Sequence, residues 1–175
     1  MGIIRDVHPV KLVTGFIFKE ESVLAKAESA LKRAFGDTDY QSPHLAFDLT
    51  DYYAAEFGTG LKRKFISFRK LIPAGKLADI KALSNRIEKR LSPEKRRLIN
   101  IDPGYLDMAK LVLASTKDYR HRIYLEKGIF AEITLSYRKK SFAPWEWTYP
   151  DYASAAYIKV FNQIRELYAS QIQKD

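Results

Sequence analysis

The chain of 175 residues contains no cysteine. That absence excludes disulfides, thiol nucleophiles and cysteine-based zinc or iron–sulfur sites. No run approaches the ~18 apolar residues of a spanning helix. The opening MGIIRDVHPVKL has neither a long apolar segment nor a small-residue cleavage motif. Asp6 stands where myristoylation of Gly2 would need Ser or Thr. The expectation is a cytoplasmic protein with no membrane partner. Gly58-Thr-Gly60 lacks the spacing and the Lys-Ser/Thr ending of a P-loop. His44, His121, Asp102, Glu132 and Asp151 include no two at a recognised ligand spacing, so no metal site is expected.

What is present describes one folded unit. Hydrophobic residues make up 46% and aromatics 13%, enough to bury a core, and the length suits a single α+β domain spanning 1–175. Thirty Lys and Arg against 21 Asp and Glu leave a formal charge of +9. Such a field attracts phosphates, RNA or an anionic surface.

Val10 to Phe18 is apolar on both faces and predicts a strand buried between layers. Ser22 is placed to cap a helix that ends at Gly36. His44 to Thr50 and Lys64 to Ile72 read as two further strands. Pro73 opens a helix with Leu77, Ile80, Leu83, Ile87 and Leu91 on one stripe, and Leu98 to Ile101 reads as a fourth strand. The resulting order, β-α-β-β-α-β, is the ferredoxin-like pattern. A helix from about Leu106, a β-hairpin from His121 to Tyr137 and a long C-terminal helix from about Tyr152 extend it.

The hairpin has two candidate registers. A two-residue Lys127-Gly128 turn sets Ile123 opposite Glu132 and mixes both faces. A three-residue loop with Gly128 left-handed sets Leu125 opposite Ile129 and Arg122 opposite Glu132. The second is preferred because Ile123, Leu125, Ile129, Ala131, Ile133 and Leu135 then share one core face.

Four polar stretches carry the candidate chemistry. Asp102-Pro-Gly-Tyr105 reads as a helix start, with Asp102 as cap and free backbone N–H groups facing an anion. Ser115 to Arg122 supplies Lys117, Arg120 and Arg122, arginine being suited to bidentate phosphate or carboxylate recognition. Arg122 can equally pair with Glu132 across the strands, and His121 suits a core-edge position with one nitrogen satisfied. The connection Thr50 to Gly58 crowds Tyr52 and Glu56 into a rim for a base or sugar. Trp145 to Tyr152 forms an aromatic lid in which Asp151 is a helix cap and Tyr149 a stacking candidate.

The stretches TDYYAAEFG, NIDPGYLDMAKLVLASTKDYRHRIYL, GIFAEITL and WTYPDY together resemble a bacterial family of about this length, a domain of unknown function. Some of its members are labelled GTP-binding. The resemblance runs over nearly the whole chain and implies no established substrate, cofactor or catalytic residue.

The resulting expectation is a pocket for a phosphorylated or otherwise anionic ligand such as a nucleotide. Asp102, Glu132 and Lys117 are the catalytic candidates, the carboxylates for acid–base work and the lysine for charge stabilisation. Tyr52, Glu56, Tyr105, Arg120, Arg122, Tyr149 and Asp151 are the ligand-binding candidates. The sequence names no cofactor, reaction or oligomeric state. Two rival readings are a sequence-nonspecific RNA-binding module, its basic footprint in Arg86–Arg97 and Arg138–Lys140, and a scaffold or protein-interaction domain.

Overall fold

The computed structural model describes residues 2–3, 7–47, 60–93 and 97–173. Its elements in chain order are β1 (Lys11–Phe18), α1 (Glu21–Phe35), β2 (Thr38–Gln41), β3 (Leu45–Ala46), β4 (Lys62–Phe68), α2 (Leu77–Arg90), β5 (Ile99–Leu106), β6 (Lys110–Ser115), β7 (Ile123–Glu126), β8 (Ile129–Arg138), β9 (Ser141–Pro144) and α3 (Ala155–Ile172). The nine strands form one antiparallel sheet in the order β2-β4-β1-β5-β6-β8-β7, with β3 on β4 and β9 on β8.

Every residue of β1 is buried because helices lie on both sides of it. Leu12, Phe16 and Phe18 pack with Ile99 and Ile101 against Val23, Leu24, Ala27 and Leu31 of α1 and Ile80 and Ile87 of α2. Val13 and Phe65 turn the other way, with Leu106, Leu111 and Leu135, towards Tyr157, Phe161, Ile164 and Tyr168 of α3. This two-sided burial is what the apolar residues on both faces of β1 reflect, Lys11 and Thr14 being its two buried polar members.

Several local expectations are corrected. Glu20, without a side-chain bond, stands at the start of α1 where Ser22 was expected to cap. The strand expected over His44–Thr50 is reduced among the described residues to Leu45–Ala46, and Thr38–Gln41 adds an edge strand whose polar residues gave no apolar signal. The strand expected over Lys64–Ile72 runs from Lys62 to Phe68. Asp102-Pro-Gly-Tyr105 does not start a helix but continues β5, and the helix expected from Leu106 is the strand β6. Asp107 explains the change, since its Oδ1 accepts from the backbone N–H groups of Ala109 at 2.7 Å and Lys110 at 2.8 Å. Such a local side-chain bond favours a turn over a helix.

In the hairpin, Lys127 (φ 56°) and Gly128 (φ 72°) are both left-handed, the signature of a two-residue type I′ turn. Glu126 opposes Ile129, an irregularity follows at Leu125, and Tyr124 then opposes Phe130 and Ile123 opposes Ala131. Beyond the irregularity the register is therefore the one preferred from the sequence, although the turn is not. The expected core face is only partly buried: Ile129 and Leu135 are inside, whereas Ile123, Leu125 and Ile133 are exposed. β7 is the edge strand, and on this side of the sheet Leu77 and Ala78 of α2 pack with Val112, Ala114 and Ile129, with Ala131 at their margin. A bulge opposite Leu111 and Val112 buries Thr134 and Leu135 in succession.

One departure from regularity creates an opening. β5 pairs with β6 only through Gly104–Leu113, Tyr105–Val112 and Leu106–Leu111, so among the described residues Ile99 to Pro103 have no strand on that side. A proline is tolerated there because that half of β5 is an edge. Gly104 closes the junction, where an added Cβ would stand 2.4 Å from the Val112 carbonyl oxygen and 2.7 Å from a Leu113 methyl. Gly104→Ala should therefore destabilise the fold by about 3 kcal/mol in urea unfolding; a change below about 0.5 kcal/mol would show that β5 and β6 can separate freely there.

Candidate functional site

Where β5 and β6 part, the sheet opens into a cavity of about 400 Å³. Asn100 and Asp102 of β5 form one wall and Leu113, Ala114 and Ser115 of β6 another. Lys81 and Asn85 enter from α2, Arg63 from β4, Arg122 and Glu132 from the hairpin, and Tyr149, Asp151 and Tyr152 from the segment before α3.

Arg63 is the hub. Register places it on the same face of β4 as Phe65, and its side chain is 3% exposed. Its Nη1 lies 3.3 Å from Asp102 Oδ2 and its Nη2 donates to Asp151 Oδ2 at 2.9 Å. The rings of Phe47, Phe65, Tyr152 and Tyr157 surround the guanidinium, with centroids 5.1–5.8 Å from Cζ. Burial opposes the charge, but Tyr152, Asp151 and Asp102 more than offset it and raise the arginine pKa above its ordinary value.

Asp102 extends this cluster. Its Oδ2 also accepts from Asn100, while Lys81 Nζ lies 3.6 Å from Oδ1 and donates to the Ile101 carbonyl at 2.8 Å. Burial would raise the Asp102 pKa, yet Lys81, Arg63 and Arg97 hold it below the ordinary carboxylate range. Arg97 in turn bonds Glu88 at 2.9 Å and Asn100, and Glu88 accepts from the Ile101 N–H at 2.6 Å. Two residues of the presumed basic footprint, Glu88 and Arg97, thus turn inwards.

A second cluster forms another wall. Arg122 Nε donates to Glu132 Oε2 at 2.8 Å, and its Nη1 donates to Ser115 Oγ at 2.7 Å and to the Lys117 carbonyl at 3.1 Å. His121 Nε2 lies 3.1 Å from the same Glu132 oxygen, and Thr134 donates to Oε1 at 3.2 Å. Both Glu132 oxygens are occupied, which fits an orienting role for that carboxylate. His121 also stacks on Trp147, and Trp147 on Trp145.

Of the expected site residues, Asp102, Lys117, Arg122, Glu132, Tyr149 and Asp151 line this one cavity. Tyr105 does not, because it lies opposite Leu12 on the α1–α2 side and packs into that core. Arg120 is exposed and outside the lining. Tyr52 and Glu56 fall outside the described residues. Asp151 is not the helix cap, a place taken by Ser154, whose oxygen accepts from the Tyr157 N–H. Arg63 and Lys81 were missed. The expected strand began one residue after Arg63, and Lys81 carried a signal not used: it lies one turn from Leu77 on a buried stripe of α2.

Among the lining residues, Arg63, Lys81, Arg97, Lys117 and Arg122 outnumber Asp102, Glu132 and Asp151 by two charges. No group of three His, Asp or Glu among the described residues could hold a metal ion. No helix among them is long and apolar enough to cross a membrane.

Residues 8–168 match the family described as a domain of unknown function (DUF4416), and the chain belongs to that family. Neither a curated protein nor a solved structure matches the chain.

Arg63→Met leaves the buried Asp151 and the partly buried Asp102 without their shared cation and should cost about 3–5 kcal/mol at neutral pH in urea unfolding; a loss under about 1 kcal/mol would contradict the role of hub. Because the native Asp102 pKa is lowered, its contribution is present above the unfolded value of about 3.9 and is lost as the pH falls through the native value. Asp102→Asn should accordingly show a shallower acid limb in a stability–pH profile; a slope equal to that of the parent protein would refute the assignment.

Proposed function

We propose that the cavity between β5 and β6 binds a small phosphorylated ligand, such as a nucleotide. The observation that carries this reading is a half-open cavity whose lining side chains include two more cations than carboxylates. Its arginines are already held in place by carboxylates, so an anion meets donors whose positioning cost has been met by folding. Lys117 and Arg122, beside Glu132, are assigned to the phosphoryl group. Phe47, Tyr149 and Tyr152 supply apolar ring surface beside it.

The same reading assigns roles to two carboxylates. Asp102, with 22% of its side chain exposed, is the cavity carboxylate a ligand can reach, and its lowered pKa suits it to accepting a hydrogen bond from the ligand while ionised rather than to taking a proton. Glu132, at 3%, suits orienting Arg122. We further read β1–α1–β2–β4–α2–β5 as a ferredoxin-like unit, supported by the antiparallel order β2-β4-β1-β5 with both helices on one face.

Thermal unfolding in low salt tests the proposal with inorganic phosphate, pyrophosphate and nucleoside monophosphates. At a hundredfold excess over Kd, binding to the native state adds about 2.7 kcal/mol, equivalent to about 5–10 °C in Tm for a chain of this size. The shift should shrink sharply in Lys117→Gln and Arg122→Gln. No shift with any phosphate compound, or equal shifts in both variants, would overturn it.

A further inference from the structure

We infer that the ligand presents a sugar hydroxyl to a clamp formed by Lys81 and Asp102. This rests on the reading of the cavity as a phosphoryl-binding site and specifies what the phosphate is attached to.

The three cavity carboxylates are not equivalent. Glu132 is 3% and Asp151 5% exposed, whereas 22% of the Asp102 side chain remains open. Asp102 Oδ2 is committed to Arg63 and Asn100. Oδ1 is not, since Lys81 Nζ stands 3.6 Å from it, beyond a hydrogen bond. Lys81 spends a donor on the Ile101 carbonyl and has three to give. An ionised acceptor and a cationic donor thus stand next to each other at the cavity wall, an ion pair at 3.6 Å without a hydrogen bond between them.

The group that satisfies both must donate to Asp102 and accept from Lys81. A hydroxyl does this with one oxygen, whereas an amide N–H cannot accept and a carbonyl cannot donate. An ammonium group has the donor but would face Lys81, Arg63 and Arg97 together, the same cations that hold Asp102 ionised. The rings of Phe47 and Tyr152 line the same cavity beside Arg63 and offer apolar surface to the C–H face of a sugar. The chemical class is a phosphorylated sugar, whether free or within a nucleotide.

Isothermal titration with ribose 5-phosphate, its 2-deoxy and 3-deoxy analogues, and a nucleoside 5′-monophosphate with its 2′- and 3′-deoxy forms tests this, with inorganic phosphate as reference. Loss of the clamped hydroxyl should weaken binding roughly tenfold or more in the parent protein, the usual effect of a hydrogen bond to charged groups. In Lys81→Met and Asp102→Asn, each first shown to be folded by its unfolding curve, parent and deoxy ligands should differ by less than about threefold. Comparable affinity of the free sugar phosphate and the nucleotide would support the free sugar phosphate as the source, and a requirement for the base would support the nucleotide. Phosphorylated probes that bind while every deoxy analogue stays within about twofold of its parent would overturn the clamp alone. Failure of every probe, inorganic phosphate included, would overturn the phosphoryl site and the clamp with it.

Discussion

The buried Arg63 guanidinium is the constraint around which the site is organised. A cation 3% exposed needs partners, and it obtains them from residues distant in the chain, Asp102 on β5 and Asp151 ahead of α3. A buried ion pair is weak evidence of net stability, because desolvation offsets much of the attraction, but removing one partner leaves a charge without compensation. Its clearer effect is positional. With the guanidinium ringed by four aromatic side chains and bonded at both Nη atoms, β4, β5 and the approach to α3 are drawn to one place.

That convergence leaves a hollow because β5 and β6 stay together for only three residue pairs. Gly104 permits the close approach at the junction, Pro103 occupies the unpaired half, and Asp107 turns the chain back at the other end. Lys81 from α2 and Arg122 from the hairpin then face the gap from opposite sides of the parted strands. Each cation arrives with a local anchor: Lys81 on the Ile101 carbonyl, Arg122 on Glu132, Ser115 and the Lys117 carbonyl. The two clusters therefore give the cavity one wall around Arg63 and Asp102 and another around Arg122 and Glu132.

Much of this could be read before the fold was known, and the exceptions have physical causes. The two-faced apolar run of β1, the stripe of α2 and the hairpin around Gly128 each carry a strong periodic signal, and Arg122 opposite Glu132 follows from register. Asp102-Pro-Gly did not disclose its conformation, because Asp followed by Pro suits a helix start and an edge strand alike. The segment after Leu106 was misread because LVLA suits a helix as well as a strand, and the deciding interaction is a single Asp107 side-chain bond. Asp151 was read locally as a cap. Its partner Arg63 lies 88 residues away, and no local pattern reports a pairing of that range.

These ion pairs shape a hollow in the parting of the sheet, the proposed anion site, distinct from the exposed cations of the Arg138–Lys140 turn. The most direct measurement is an amide and arginine side-chain NMR titration with a nucleoside 5′-monophosphate. The account predicts saturable shifts confined to residues 100–102, 113–117, 122 and 149–152 together with the Arg63 and Arg122 side chains. Shifts centred on residues 138–140, or shifts that spread over the basic surface and vanish in moderate salt, would contradict it.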